Sequence, residues 1–366
     1  MNWKKKILAA ITATTLGVSL TFGAPVAQAA NAGTIGSIVG IFIQGASLKS
    51  QTQAYVKQFN TTPQGQEAVY QDFTKGMGVD TNPEYNAKLE RMMTNLSKGV
   101  EAVDPSIKDL PYKYFVADTD QINAACGMGH VMFVNRGMFK FLTNEDELAA
   151  IIGHEMGHGQ KNHVAKGYEK QVEQKIAAGV LSATLGTDVI SSTLTDLALK
   201  HRSAHKDKKQ ETEADLMGVE YLVNTPYNIG AAAAVMQRFN EMSINVEQSK
   251  EAALFNPSDH PDTARRRDAC AKKVFELSGK HVDAKDGVVI VNKKNFLTPA
   301  ASSSMSGKER SYFVMGNLAR TYINGQNKQQ ATVQNGTVML GNQPIITPVE
   351  GDEDAQTIAD RLNAIK

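Results

Sequence analysis

Apolar residues change their spacing several times along the chain, and each change marks an element. From Ala54 to Val103 the positions Tyr55, Val56, Phe59, Leu89, Met92, Met93 and Leu96 stand mostly three or four apart, which predicts helices. Pro63 and Pro83 break that stretch, because proline has no amide donor for a helix interior. Pro105 and Pro111 mark a turn-rich connection. Tyr112 to Ala117 alternates aromatic and polar residues and predicts a strand; Val131 to Val134, after the turn-like Gly127-Met128-Gly129, predicts a second. The clearest helix runs from Asn144 to Lys161, with Asn144 as N-cap and Glu147 three residues on as a capping box. Helical spacing returns over Gln171–Leu199, Gln210–Val223, Ala231–Met242 and Asp262–Leu277, with a basic polar stretch at His201–Lys209 and a loop at Asn256–Pro261.

Near Asp283 the pattern shifts to short apolar runs. Val288–Val291, Tyr312–Val314 and Val333–Ile346 read as strands, with hairpin-turn chemistry at Asn335-Gly336 and Gly341-Asn342, and Ala355–Ile365 reads as a closing helix. No period of about 20–50 residues is evident, so a solenoid is not expected. The expected fold is α+β: a mainly helical domain over 30–283 with a small edge sheet, and a small C-terminal α+β appendage over 284–366.

The N-terminus adds a location. Lys4-Lys5-Lys6, the apolar and small-residue stretch Ile7–Phe22, and Ala27-Gln28-Ala29 form an export signal over 1–29, with cleavage expected after Ala29. The mature protein is expected in a bacterial periplasm, or secreted. Gly33–Ser47 is apolar and Gly-rich but short of the roughly 20 residues a span needs, so a packed helix or partner-docking segment is expected. No transmembrane span is expected in the mature chain, which leaves room for peripheral envelope association. With 39 Lys+Arg against 38 Asp+Glu there is no basic field to attract nucleic acid. Cys126 and Cys270 allow either a disulfide or two buried thiols; without a Cys-x-x-Cys spacing a redox role is weak.

The chemistry concentrates in His154-Glu155-Met156-Gly157-His158. On a helix, residues four apart share a face, so both imidazoles can grip one metal ion while Glu155 reaches a water beside it. A catalytic zinc takes three protein ligands and keeps one position open. A metzincin would put its third His at position 164 and a Gly at 161, but Val164 and Lys161 stand there. His163, five residues on, could support the site, but a surface His or one standing behind a ligand is the favoured reading, since the metzincin pattern is absent. Glu211 and Asp215, four apart in Glu211-Thr212-Glu213-Ala214-Asp215, offer one carboxylate to the metal and another to orient an imidazole. An ordinary acidic helix start explains the same residues equally well. Glu213 would point elsewhere, into solvent.

These residues resemble a known family, the zinc metallopeptidases of the CAAX prenyl proteases and HtpX, with soluble periplasmic BepA-like members. His154-Glu-Met-Gly-His158, His163 and Glu211-x-x-Ala-Asp215 carry the likeness. Asp118-x-Asp120-x-Ile122-Asn123-Ala124, Val131-x-Phe133-Val134-x-Arg136-Gly137 and His260-Pro261 with Arg266 extend it over roughly 75–277. The resemblance implies a zincin-like fold and one zinc ion per chain on His154, His158 and Glu211, with Glu155 as general base and Asp215 holding a ligand. His260 would face the site, binding the reacting carbonyl or capping the metal. Arg266 would be structural or anchor that loop, and is grouped with Val131 and Phe133 on the substrate-binding side. The strand holding Val131 and Phe133 is expected to be an edge that takes an extended peptide by strand addition.

The chain departs from the family in lacking the long membrane spans and the helical-repeat tail. The function so implied is an exported zinc-dependent endopeptidase acting on protein or peptide substrates of the cell envelope, misfolded ones included. The alternatives are a chaperone-like or partner-binding module with a latent metal site, and an aminopeptidase.

Overall fold

A computed structural model describes residues 48–177, 208–244 and 262–366. The residues expected as an export signal, the Gly-rich segment up to 47, most of the run expected as helix to Leu199, and the loop expected to carry His260 lie outside the described residues.

Three helices open the described chain: α1 (Leu48–Thr61), α2 (Pro63–Met77) and α3 (Pro83–Val103). Both prolines sit in the first helical turn, where their missing amide costs nothing. Thr62 and Asn82 cap the amides beside them, Thr62 Oγ1 accepting from Gly65 N at 3.0 Å and Asn82 Oδ1 from Glu84 N at 2.8 Å. The sheet follows as β1 (Lys113–Ala117), β2 (Ala124–Cys126) and β3 (Val131–Asn135). Its order is β1-β3-β2, with β1 parallel and β2 antiparallel to β3.

That order corrects the edge-strand expectation. β3 is hydrogen-bonded on both sides, and Val131 and Phe133 are wholly buried, so neither can receive a substrate strand. The sheet divides two cores instead. Val116, Met132 and Val134 face Leu96, Ile152 and Met156 on one side, while Phe115, Val131 and Phe133 face Phe59, Val69 and Phe73 on the other. Period-2 alternation between two apolar sides is what a doubly covered sheet requires.

After α4 (Arg136–Phe141) comes the central helix α5 (Glu145–Gln160), then α6 (His163–Ala177), α7 (Lys208–Val223), α8 (Ala231–Ile244) and α9 (Thr263–Leu277). Asn144 caps α5 by accepting from Asp146 N at 2.8 Å. The expected capping box does not form. Glu147 is buried and accepts from two guanidinium nitrogens of Arg238 on α8, Nε and Nη2, each at 3.0 Å, because a buried carboxylate is worth more paired to a cation than to a backbone amide.

α5 and α7 pack at close range through small residues. A Cβ on Gly157 would lie 2.8 Å from the Ala214 carbonyl oxygen, and one on Gly218 would lie 3.1 Å from His154 N. Gly157→Ala should therefore fail to collect the ~1 kcal/mol that alanine normally brings to a helix interior. The added methyl meets backbone, and the helices must part. We expect a lower melting temperature and at least a tenfold loss of metal affinity. An unchanged affinity would mean that the helix spacing does not govern the site.

The region beyond 281 holds a repeat that the sequence reading missed. β4 (Val282–Lys285), β5 (Val288–Val291) and β6 (Lys294–Leu297) precede α10 (Gly307–Ile323). β7 (Ala331–Gln334), β8 (Thr337–Leu340) and β9 (Gln343–Ile346) precede α11 (Ala355–Ile365). The two meanders lie 49 residues apart strand for strand, Val282 matching Ala331. Asp286-Gly287 and Asn335-Gly336 make the same positive-φ hairpin turn, and each meander shifts register at its equivalent position, Val289/Ile290 and Val338/Met339. α10 packs on β4, β5 and β9, while α11 packs on β7, β8 and β6, so each helix also covers the last strand of the other unit.

Tyr312-Phe313-Val314, expected as a strand, lies inside α10. There Ser306 and Glu309 form a true capping box, and Tyr312, Met315 and Ala319 are buried at helical spacing. The 283/284 division falls within β4, and one apolar cluster runs from Phe239 and Val274 through Tyr312 and Leu318 to Val338.

A buried charge network ties this region to α5. Arg238 lies between Glu147 and Glu309, with Glu309 Oε1 3.3 Å away. Burial pushes the Glu309 carboxyl up to about 7 against the pull of Arg238, with Glu147 and Glu241 adding to the rise. Its folded pKa exceeds the unfolded value of about 4.3, so folding favours the protonated form. The stability that proton carries is present at acid pH and is lost as pH rises through about 7. Glu309→Gln keeps the acceptor for Ser306 N but cannot ionise. Relative to this variant, the wild type should lose about 3 kcal/mol in urea unfolding between about pH 4.5 and 7.5. A wild-type-minus-variant difference flat in pH would remove Glu309 as the titrating group.

Candidate metal centre

α5 carries His154 and His158 one turn apart, and α7 brings Glu211 across from them. His154 Nε2 and His158 Nε2 are 3.1 Å apart. Glu211 Oε1 lies 3.3 Å from His158 Nε2, and its Oε2 lies 3.7 Å from His154 Nε2. All three residues are buried. Ligands at about 2.0–2.1 Å from a tetrahedral zinc stand about 3.3 Å from one another. One ligand atom from each residue lies within 4.8 Å of the others, and the donor triangle has the chemistry, two imidazoles and one carboxylate, that such an ion takes.

Behind the triangle stands a row of buried partners. Asp215 Oδ1 accepts from His154 Nδ1 at 2.8 Å, which turns Nε2 of that ring toward the triangle. Arg266 clasps Asp215 through two bonds of 2.7 Å and pairs with Glu211 Oε2 at 3.0 Å. Arg266 is 1% exposed, which corrects its place on the substrate-binding side: its guanidinium is spent on two carboxylates inside the protein. Burial opposes the charge on Glu211, but His158, His154 and Arg266 outweigh it and hold the carboxyl well below its ordinary range. Burial also works against Asp215, yet Arg266 and His154 bring it down to about 2.

His163, five residues past His158, is buried with Nδ1 2.8 Å from His158 Nδ1. Burial and the neighbouring His158 lower its pKa to about 4. Glu213 does not simply face solvent: its Oε2 lies 3.2 Å from His163 Nε2, and Lys161 Nζ is 3.4 Å from its Oε1. Glu155 is buried beside His154, with Oε1 4.0 Å from His154 Nε2. Cys126 and Cys270 are free and buried, the second of the two states their spacing allowed, and burial raises both thiols far above their usual range.

Two positions shape the centre in a way their sequence places, within the histidine motif for Gly157 and on the Glu211–Asp215 face for Gly218, did not foretell: each lets the opposing helix come close. The available signal was Ala214 and Gly218, four apart beside Glu211 and Asp215, a small-residue stripe next to an acidic one. His260 lies outside the described residues.

A helix with two histidines and an interposed glutamate, a carboxylate from a second helix and a buried supporting row together define a metallopeptidase. The chain belongs to peptidase family M48, whose profile matches residues 83–273. It is 26% identical over 185 residues to the beta-barrel assembly-enhancing protease of Yersinia pestis, covering 47% of this chain and 37% of that protein. It is also 26% identical over 184 residues to the metalloprotease LoiP of Escherichia coli, covering 50% of this chain and 69% of that one. The mitochondrial metalloendopeptidase OMA1 of Arabidopsis thaliana matches at 26% over 141 residues, 38% of this chain and 28% of that protein. The match thus spans about a third of the first of these relatives. Among the described residues no helix is long and apolar enough to cross a membrane.

Proposed function

We propose that the protein is an exported zinc endopeptidase that cleaves proteins of the cell envelope, misfolded ones among them. The donor triangle of His154, His158 and Glu211 carries the proposal, because one ligand atom from each lies within 4.8 Å of the others, and two imidazoles with a carboxylate are a donor set that zinc takes. Zinc, when bound, would supply Lewis acidity that polarises a peptide carbonyl and makes water acidic near neutral pH.

The remaining work falls to the chain. Glu155, on the residue between the ligands, takes the proton of the attacking water and returns it to the departing amine. Asp215 holds His154 with its Nε2 forward, and Arg266 holds Asp215 and Glu211 charged. His260 would join from its loop to bind the reacting carbonyl or cap the metal. The envelope location draws on the export signal over 1–29 and on relatives named for β-barrel assembly.

Chelator dialysis tests the proposal. Cleavage of an unfolded protein such as casein, and of peptides blocked at both ends, should fall to background without metal. One equivalent of zinc per chain should restore it. Full activity in metal-free protein would overturn the zinc reading, and failure on blocked peptides alone would favour an aminopeptidase.

A further inference from the structure

We propose that His163 and Glu213 form a relay that fixes the tautomer and orientation of His158, making His163 a positioning residue of the metal centre. The inference rests on the reading that His158 binds the metal through Nε2.

That nitrogen faces His154 Nε2 at 3.1 Å and Glu211 Oε1 at 3.3 Å, so the ring's proton belongs on Nδ1. Opposite Nδ1, at 2.8 Å, stands Nδ1 of His163. Two ring nitrogens at that distance share one proton, so His163 must present a lone pair there and carry its own proton on Nε2. Nε2 in turn faces Glu213 Oε2 at 3.2 Å. The hydrogen bonds therefore run in one direction, from the metal ligand through a neutral imidazole to a carboxylate that is 47% exposed. His154 is supported differently, by the Asp215 carboxylate directly. The two ligands thus reach negative charge by one step and by two.

The backbone is built for this contact. Five residues along an uninterrupted helix would rotate His163 well away from the ligand face. α5 instead ends at Gln160, and Asn162 takes a left-handed φ of 54°, so the chain turns and α6 begins at His163 beneath His158. Asparagine tolerates that conformation better than most residues. Its side chain is pinned as well, with Oδ1 accepting from Asn60 Nδ2 of α1 at 2.7 Å.

The test is the zinc Kd of the purified protein, measured by competition with a chromophoric chelator, with near-UV circular dichroism of the metal-free form as the folding check. His163→Leu removes the acceptor and should weaken zinc by about 10–100-fold. His163→Asn puts an amide oxygen where Nδ1 was but loses the Nε2 bond to Glu213, and should bind zinc more tightly than His163→Leu and about as weakly as Glu213→Ala. Glu213→Ala, at a half-exposed position, should weaken zinc by about threefold or more without disturbing the fold. Folded His163→Leu and Glu213→Ala proteins with the wild-type Kd would overturn the relay. If His163→Leu does not fold, Glu213→Ala decides: a weaker Kd supports the relay and an unchanged one overturns it. A wild-type protein that holds no zinc would instead remove the metal reading on which the relay depends.

Discussion

Glu155→Gln should lose peptide cleavage by about 10²–10⁴-fold, the usual contribution of a positioned general base, while keeping its metal. Glu155 is buried next to His154 but stands outside the donor triangle, its Oε1 4.0 Å from His154 Nε2. Glutamine fills the same volume and still hydrogen-bonds, yet it cannot accept a proton near neutral pH. Loss of the proton acceptor is thus separated from loss of the site. Glu211→Ala provides the contrast, because it removes a corner of the triangle and should lose metal and cleavage together. Elemental analysis beside a protein-cleavage assay reads both quantities. Wild-type turnover in Glu155→Gln would take the general-base role away from this residue, and a metal-free Glu155→Gln would make it part of the ligand set.

Each half of the candidate centre was legible because its spacing is local. His154 and His158 share a face of one helix, and Glu211 and Asp215 share a face of another; it was the family resemblance, not periodicity, that joined Glu211 to the histidines. What brings the faces together was not legible. It depends on Gly157 and Gly218, whose missing side chains have no meaning until the opposing helix is in place. The strand order failed for a related reason: alternation tells which residues share a face, and it is silent on which strand lies between the others.

Glu147 shows tertiary structure overriding a local pattern. The Asn144/Glu147 spacing suits a capping box, yet the carboxylate pairs with Arg238, 91 positions away. Tyr312-Phe313-Val314 shows the reverse, a strand-forming triplet held helical by the Ser306 and Glu309 cap and by burial at helical spacing. The repeat escaped notice because few identities survive between its halves. What persists is geometry, two Asp/Asn-Gly turns and a register shift in the same place.

Arg266→Met should destabilise the metal-free protein by about 3–5 kcal/mol, the cost of leaving buried charge without its partner. The guanidinium is 1% exposed and bridges two carboxylates that are themselves buried, Asp215 through two bonds and Glu211 through a third contact. Methionine fills much of the volume, so the loss is electrostatic rather than a cavity. Arg266→Lys should recover little, since a single ammonium cannot span both carboxylates as a planar fork does. Zinc should narrow the gap, because an ion on Glu211 neutralises part of the charge that Arg266 leaves behind, and ligand binding to the folded state adds its own stabilisation. Urea unfolding with and without zinc separates these terms: the variant should gain more from zinc than it would if Arg266 were only a packing residue. An unfolding midpoint for metal-free Arg266→Met equal to that of wild type would mean that Asp215 and Glu211 tolerate each other without the bridge, and the supporting row behind the metal would lose its organising charge.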